Sequence, residues 1–311
     1  MALKEATEKD YEALIGFWNE NSGWDIISRE IWDKRFIQAP HGSSVVLFVE
    51  QSNKILAMLI FIRCKISMGS KLVDGCRPFA SILSQSVRGR MSVIKYMVQL
   101  INFGFKTMQK KGTDIVLMLP DPRWKPLLKF IDINVGEFPL YKKDFSIDFD
   151  VSCNSVKVID FDFNQISELW NVIKRKNIYM VLRDPENLKW KNSHRDYKII
   201  GVFKKEKLIG IATYLEKIEN KQVQICDVLI PNDTEQEFVF NEISCFINRE
   251  YRNRTDYKKQ VILAPKLFLK SLTKSGFVLD DYQFVFAFKR LNKEISKKAL
   301  SISNWYLSAN D

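Results

Sequence analysis

The feature that most constrains this chain is a set of helix and strand signals that occurs twice along its 311 residues. Near the N-terminus, Thr7 and Asp10 form a T-x-x-D sequence that resembles a helix capping box. The apolar residues that follow at helical spacing are Tyr11, Leu14, Ile15 and Trp18. The counterparts of these six positions, each 155 residues later, are Asp162, Gln165, Ile166, Leu169, Trp170 and Ile173. The same opening helix is therefore predicted in both halves.

The signals after this helix recur in the same order. Hairpins are predicted at residues 45–63 and 198–215, amphipathic helices at 93–108 and 239–247, and single strands at 115–119 and 261–263. Each single strand ends near a proline and leads into a short helix and a further strand. We interpret the pattern as duplication of a β-α-β-β-β-α-β-α-β unit. It predicts an α/β fold with mixed α+β sheets, in two domains that span residues 1–150 and 151–311.

Composition narrows the class of partner and the compartment. With 48 Lys and Arg against 37 Asp and Glu, the net charge of +11 favours anionic partners. The excess is spread along the chain without a dense basic stripe, so we expect no nucleic-acid partner. Five cysteines without C-x-x-C spacing predict neither disulfides nor a bound metal. The N-terminus resembles no signal peptide and no stretch approaches the length of a membrane span, so we expect a cytoplasmic protein without a membrane partner.

One junction in the first half has the chemistry of an anion site. Residues 82–92 run from an apolar strand through a turn that contains Gly89, Arg88 and Arg90, and then directly into the amphipathic helix. The first N–H groups of such a helix lack partners and lie at the positive end of the helix dipole, and a glycine allows a phosphate to approach closely. The corresponding residues 227–235 contain no glycine and several carboxylates, which predicts that only the first copy binds phosphate.

This layout resembles the GNAT superfamily of N-acyltransferases, in which the turn binds the pyrophosphate of coenzyme A. Of the family pattern Q/R-x-x-G-x-G/A, this chain keeps only the central Gly89, with Ser86 and Met91 at the other marked positions. The sequence Leu119-Pro120-Asp121 stands where the family often has Pro-Asn. The resemblance implies acyl-CoA as co-substrate, held by Ile82, Leu83, Ser84, Arg88, Gly89, Arg90, Met91, Ser92 and Asp121.

Among two-domain members, the chain is most similar to N-acyltransferases of nucleotide-linked amino sugars, of the dTDP-3-amino-3,6-dideoxyhexose type. The residues that carry this likeness follow the pattern R-D-x-x-x-L-x-W and are Arg183, Asp184, Leu188 and Trp190. The resemblance implies transfer of an acyl group to the amine of a nucleotide-linked deoxyamino sugar. It also implies that Arg183, Asp184 and Trp190, in the degenerate second domain, help to bind this acceptor.

The resemblance further implies direct attack of an unprotonated amine on the thioester, with the oxyanion held by backbone N–H groups near Ile82, Leu83 and Ser84. The candidates for proton transfer are His41, Asp74 and Tyr141. In many family members a tyrosine in the short helix after Pro-Asn acts as the general acid. Residues 127–129 of this chain are Leu-Leu-Lys instead. The second histidine, His194, and Asp184 are further candidates for the base.

Two other functions share part of this pattern. A GNAT enzyme that acylates a protein, a peptide or another small amine would have the same features. A non-enzymatic nucleic-acid-binding protein would account for the charge but not for the repeat or the loop. The sequence leaves the acyl chain, the exact nucleotide sugar and the oligomeric state open.

Overall fold

The computed structural model describes residues 1–69, 71–146, 153–161, 164–174, 176, 178–193 and 195–309. Residues 150–152 of the predicted domain boundary at 150–155 lie outside the described residues, as do the predicted cap residue Asp162 and His194. Two compact units are present. Unit 1 comprises Met1–Ile66, Leu72–Gly136 and Val285–Leu300, whereas unit 2 comprises Ser67–Lys71, Glu137–Phe284 and Ser301–Asp311. Each unit therefore contains segments from both halves of the sequence.

The elements follow the predicted order in both halves. The first half forms β1 (Ala2–Glu5), α1 (Tyr11–Asn21), α2 (Arg29–Trp32), β2 (Val45–Gln51), β3 (Lys54–Met68), β4 (Lys71–Leu83), α3 (Arg90–Ser92), α4 (Val98–Lys110), β5 (Ile115–Met118), α5 (Lys125–Leu128) and β6 (Asn134–Asp144). The second half forms β7 (Val156–Val158), α6 (Asn164–Ile173), β8 (Tyr179–Val181), α7 (Pro185–Asn192), β9 (Lys198–Lys204), β10 (Lys207–Lys217), β11 (Gln222–Leu229), α8 (Gln236–Tyr251), β12 (Lys259–Leu263), α9 (Leu269–Lys274) and β13 (Val278–Arg290). The predicted mixed α/β fold is confirmed.

The two units have the same strand order. In unit 1 the strands lie in the order β1-β2-β3-β4-β5-β13, and in unit 2 they lie in the order β7-β9-β10-β11-β12-β6. The pairs β4–β5 and β11–β12 are parallel, whereas β5–β13 and β12–β6 are antiparallel. The last strand of the first half, β6, therefore pairs with β12 in unit 2, and the last strand of the second half, β13, pairs with β5 in unit 1. This exchange is why the compact units differ from the division at residue 150.

The predicted hairpins are confirmed, and their two turns have the same backbone conformation. Ser52 and Asn53, between β2 and β3, have φ angles of 48° and 58°, and Lys205 and Glu206, between β9 and β10, have φ angles of 49° and 64°. Positive φ at both central residues matches the twist of a two-residue hairpin. The turns use polar residues instead of the usual glycine.

The long helix α4 packs on the sheet of unit 1 through its apolar face. Leu100, Ile101, Phe105 and Met108 are buried in the core of that unit together with Phe61 of β3. A Cβ atom added at Gly104 would lie 2.2 Å from the Phe61 ring, so this position requires glycine for close packing of helix and sheet. The packing fixes the start of the helical segment beside the end of β4.

All five cysteines, Cys64, Cys76, Cys153, Cys226 and Cys245, are buried. None of the helices within the described ranges is long and apolar enough to cross a membrane.

Candidate functional site

A break in the extended backbone of β4 marks the site. The strand pairs in parallel with β5 at Gly75 and Cys76. Further along, Ala80 is buried and has a φ angle of 56°, in the left-handed region that residues with a Cβ atom seldom adopt. Such a residue within a strand is strained, and strain of this kind concentrates at functional sites. The residues that follow Ala80 line a cavity.

The cavity lies in unit 1 and has a volume of about 490 Å³. Its lining residues are Asn21, Ser22, Ser81, Ile82, Leu83, Arg88, Gly89, Met97 and Trp124. Four of them, Ile82, Leu83, Arg88 and Gly89, are predicted from the sequence to bind coenzyme A. The wall is mostly apolar, and the charge comes from the guanidinium of Arg88.

The backbone N–H groups of Leu83 and Ser84, at the end of β4, have different surroundings. The N–H of Ser84 donates to the carbonyl oxygen of Leu56 in β3 at 2.9 Å, so it is already used in pairing. Successive residues of a strand direct their N–H and C=O groups to opposite edges. The N–H and C=O groups of Leu83 therefore point away from β3. The position of the Leu83 carbonyl oxygen, 3.4 Å from Nε of Arg88, agrees with this direction. Of the three predicted oxyanion donors, Ser84 already donates to Leu56, and the role of Ile82 and Leu83 stays a prediction.

The loop after β4 is fastened to the C-terminal end of α1. The N–H of Gln85 donates to Oδ1 of Asn21 at 2.9 Å, and the side-chain amide of Gln85 donates to the carbonyl oxygen of Glu20 at 3.2 Å. Nη2 of Arg88 donates to the carbonyl oxygen of Asn21. The hydroxyl of Ser84 accepts from the N–H of Ser86 and caps the short helical turn Gln85–Val87. The loop is thus held in one shape by the protein itself.

Gly89 lies between this loop and the helical segment that begins at Arg90. It is exposed, and a Cβ atom added to it would meet no protein atom within 4 Å. The segment continues from α3 through the π-helical residues Val93–Met97 into α4. The N–H groups of its first turn have no intrahelical acceptor and lie at the positive end of the dipole. Neither packing nor backbone angle requires a glycine here, so the open space beside Gly89 is available to a ligand.

The other residues predicted for the cofactor have different surroundings. Met91 is 77% exposed. The side chain of Arg90 lies outside what the structure describes. Asp121 caps the turn Pro122–Trp124, accepting from the N–H and from Nε of Arg123, both at 2.8 Å. The side-chain hydrogen bond from Arg123 lowers the pKa of this carboxyl. Asp121 thus caps the turn that contains the lining residue Trp124, and its contact with the cofactor stays a prediction.

None of the three predicted proton-transfer residues lines the cavity. His41 lies in the turn between α2 and β2. Asp74 pairs with Lys65 at 2.7 Å and precedes Leu83 by nine residues of β4, which corresponds to about 30 Å of strand. Tyr141 is 1% exposed in the core of unit 2, where burial raises its pKa. The cavity residues that sequence reasoning missed are Asn21, Ser22, Ser81, Met97 and Trp124. The one sequence feature that could have identified these five residues is their position near the ends of predicted helices and strands.

The predicted acceptor residues of unit 2 form buried contacts. Arg183 is fully buried, and its Nε donates to Oδ1 of Asp227 at 2.7 Å. Nζ of Lys191 lies 3.4 Å from the same carboxylate, and the hydroxyl of Ser308 donates to it at 2.8 Å. Asp227 is itself fully buried within β11, so the prediction that it belongs to the loop before α8 is wrong. Its position on an apolar strand is stabilised by these donors.

Asp184 and Trp190 complete this part of the chain. Oδ1 of Asp184 accepts from the N–H of Asn187 at 2.9 Å and caps α7. Trp190, in the same helix, is half-buried. Both residues therefore stabilise or pack with a helix, and a contact of either with an acceptor stays a prediction.

The strand end in unit 2 that corresponds to the cavity of unit 1 is closed. The N–H of Val228 in β11 donates to the hydroxyl of Tyr306 at 3.1 Å, and this hydroxyl donates to the carbonyl oxygen of Val228. Tyr306 is buried and its ring packs against Phe268 at 5.3 Å. The C-terminal segment of the chain thus uses the backbone groups of β11 that a ligand would need.

No protein-family model matches the chain, and no curated protein matches it. Three solved structures are similar over most of its length. The first, from Enterococcus faecalis V583, is described as a conserved protein of unknown function and probable N-acyltransferase; it has a TM-score of 0.68 and 9% identity, over 94% of this chain and 72% of that one. The second, a GCN5-related N-acetyltransferase from Anabaena variabilis ATCC 29413, has a TM-score of 0.65 and 15% identity, over 94% and 73%.

The third similar structure is Saccharomyces cerevisiae N-myristoyltransferase with bound myristoyl-CoA, with a TM-score of 0.56 and 10% identity, over 93% of this chain and 79% of that one. At these identities the likeness concerns the fold. The chain therefore has the fold of GNAT-like N-acyltransferases.

Proposed function

We propose that this protein is an acyl-CoA-dependent N-acyltransferase that acylates the amine of a nucleotide-linked deoxyamino sugar. The observation that carries the proposal is the cavity at the end of β4, which brings Leu83, Arg88 and Gly89 together beside a helix N-terminus. A pyrophosphate suits this place because backbone N–H groups, the helix dipole and a guanidinium all favour negative charge there. The similar solved structures that are described as N-acyltransferases have the same fold, and this supports an acyltransferase function.

The chemistry follows from the groups around the cavity. The nitrogen of the neutral acceptor amine forms a bond to the thioester carbonyl carbon, and the carbonyl oxygen becomes an oxyanion. The N–H of Leu83 donates to this oxyanion, and one such preorganised donor is typically worth about 3 kcal/mol in the transition state. The carbon–sulfur bond then breaks, coenzyme A leaves as a thiolate, and the nitrogen loses its extra proton.

The described residues of the cavity wall provide no strong base to accept the proton of the acceptor amine. Among the described lining residues there is no carboxylate, imidazole or thiol, and the hydroxyls come from Ser22 and Ser81. The amine therefore arrives unprotonated, and its proton passes to water or, through a hydroxyl, to the leaving thiolate. We expect the rate to follow the fraction of acceptor amine that is neutral.

The substrate class rests on two supports. The first is the resemblance of the sequence to the amino-sugar N-acyltransferases. The second is the net charge of +11, which suits two phosphate-bearing ligands in one protein. The burial of Arg183 removes this residue as direct support for an acceptor site in unit 2.

The test is to incubate the protein with acetyl-CoA and a panel of dTDP- and UDP-linked amino sugars while free thiol is followed. Thiol release that depends on the amino sugar, with the N-acyl product seen by mass spectrometry, is the expected result. Acylation of a peptide N-terminus or a polyamine instead would show that the substrate class is wrong and that acyl transfer is right. Absence of any coenzyme A binding in calorimetry would overturn the whole proposal.

A further inference from the structure

A cluster of aromatic rings in unit 1 lies next to the cavity and is not used in the mechanism above. Trp24, between α1 and α2, is 52% exposed. Its ring centroid lies 5.2 Å from Trp18 and 5.8 Å from Phe79, and it is within 26° of parallel to Phe79. The guanidinium carbon of Arg35 lies 4.4 Å from the centre of the Phe79 ring. We call these four side chains the Trp24 surface.

The connection that carries Trp24 is fixed by hydrogen bonds. Nε1 of Trp18 donates to the carbonyl oxygen of Asp25 at 3.2 Å. The side chain of Asn19 bonds both backbone groups of Ile27, accepting at 2.8 Å and donating at 3.1 Å. The N–H of Trp24 donates to the hydroxyl of Ser22 at 3.0 Å. The backbone that carries the exposed indole is therefore held by hydrogen bonds, which lowers the entropy cost of binding a ligand.

The Trp24 surface adjoins the cavity along the chain on both sides. Ser22, which accepts from the N–H of Trp24, is itself a lining residue. Phe79 precedes the lining residue Ser81 by two positions in β4. A molecule whose amine enters the cavity can therefore extend over these rings. A single exposed apolar residue needs no explanation, but a rigid, stacked group of rings beside a cavity indicates a binding surface.

The chemistry of the surface selects the kind of ligand. Indole and phenyl faces favour a planar ring, and nucleobases gain about 1–3 kcal/mol from stacking on such faces. The guanidinium of Arg35, whose carbon lies 4.4 Å from the centre of the Phe79 ring, favours an anion beside that ring. We propose that the Trp24 surface binds the nucleoside diphosphate part of the acceptor, with the base on Trp24 and the phosphate charge near Arg35. This inference rests on the proposed function, whose acceptor is a nucleotide-linked sugar.

The test is calorimetric titration of dTDP into the full chain saturated with coenzyme A. We expect Trp24→Ala to raise the dissociation constant of dTDP about tenfold or more, whereas Trp24→Phe keeps it within about threefold because a ring is retained. Arg35→Gln should weaken dTDP more than it weakens thymidine, which carries no phosphate. Phe130→Ala is the matched control, because Phe130 is exposed to a similar degree, 58%, and is not a cavity residue.

The outcomes separate this inference from the proposed function. Equal dTDP affinity in the wild type and in Trp24→Ala would overturn the inference, even if nucleotide-linked amino sugars are acylated. No dTDP binding by the wild type would also overturn it. Thiol release in the acylation assay is a separate measurement, and its failure alone would reject the proposed function while a Trp24-dependent dTDP site remains.

Discussion

The guanidinium of Arg88 donates from Nη2 to the backbone carbonyl oxygen of Asn21, the last residue of α1. Its Nε lies 3.4 Å from the carbonyl oxygen of Leu83, at the end of β4. One side chain thus joins a helix C-terminus, a strand end and the loop between β4 and α3. The positive charge of Arg88 strengthens its hydrogen bond to Asn21, because the negative end of the helix dipole lies at the C-terminus of α1.

Replacement of Arg88 tests whether its role is geometric or only electrostatic. We expect Arg88→Ala to lower the affinity for coenzyme A about tenfold or more, because the loop loses its fastening as well as its charge. Arg88→Lys keeps the charge but not the planar donor pair, so its affinity should lie closer to that of the alanine variant. Calorimetry with coenzyme A measures both. If Arg88→Lys binds coenzyme A as tightly as the wild type does, the role of Arg88 is electrostatic and not geometric.

Gly89 gives a sharper test of the anion site. Because a Cβ atom there meets no protein atom, we expect Gly89→Ala to leave the melting temperature unchanged or slightly raised while it weakens coenzyme A binding. Gly89→Asp should abolish binding by adding a negative charge. Gly16→Ala is the matched control, since a Cβ atom at Gly16 in α1 also meets no protein atom within 4 Å and Gly16 is not a cavity residue. Undiminished binding by Gly89→Asp would exclude this loop as the site.

The sequence predicted the elements better than the site. Periodicity identifies the repeat because every helix and strand of a unit must bury one face, whichever strand it pairs with. The exchange of β6 and β13 could not be predicted, since strand pairing depends on contacts far apart in the chain. Gly89 and Arg88 were found because a strand–turn–helix junction has local chemistry. Met97 and Trp124 were missed because an apolar cavity wall has the same composition as a core.

Arg183 shows how a charged residue can mislead sequence reasoning. Its position next to Asp184 and a proline predicted a contact with the acceptor, but it is fully buried beside Asp227. We expect Arg183→Ala to destabilise the protein by about 3–5 kcal/mol, because the carboxylate of Asp227 loses its closest buried partner. Chemical denaturation measures the loss. The double variant Arg183→Ala/Asp227→Ala should be less destabilised than the sum of the single variants, since each single change leaves the other charge buried.

Glu216 predicts how unit 2 responds to acid. Burial alone would raise the pKa of this carboxyl, but hydrogen bonds from Lys198, Tyr257 and Tyr251 outweigh it and lower the pKa to about 2. A folded-state pKa below the unfolded value of about 4.3 adds stability above that value, and the contribution is lost as the pH falls towards 2. Because the partners Lys198 and Arg254 are half exposed, solvent screens part of this effect, and we expect Glu216→Gln to lower the free energy of unfolding by about 1–2 kcal/mol at pH 7 and much less near pH 2. Urea unfolding of the wild type and of Glu216→Gln at both pH values measures the difference in free energy of unfolding. An equal difference at pH 7 and near pH 2 would contradict a lowered pKa of Glu216.

The closed strand end of unit 2 predicts one coenzyme A per chain. In unit 1 the N–H of the lining residue Leu83 lies on the edge of β4 away from β3, whereas in unit 2 the N–H of Val228 already donates to the hydroxyl of Tyr306. Calorimetry should therefore give a stoichiometry of one for the wild type. Tyr306→Phe removes the hydroxyl and leaves a buried backbone N–H without this acceptor, so we expect it to lower stability by about 1–3 kcal/mol.

The stoichiometry of that variant should remain one, because unit 2 has neither a glycine at the start of α8 nor a guanidinium in place of Arg88. Asp233 and Glu235 precede α8 instead, and their carboxylates repel phosphate from its N-terminus. Gly89→Asp provides the complementary measurement, because it removes the site of unit 1 and should reduce the stoichiometry to zero. Two molecules of coenzyme A bound to the wild type, with one still bound to Gly89→Asp, would show that unit 2 has a site of its own.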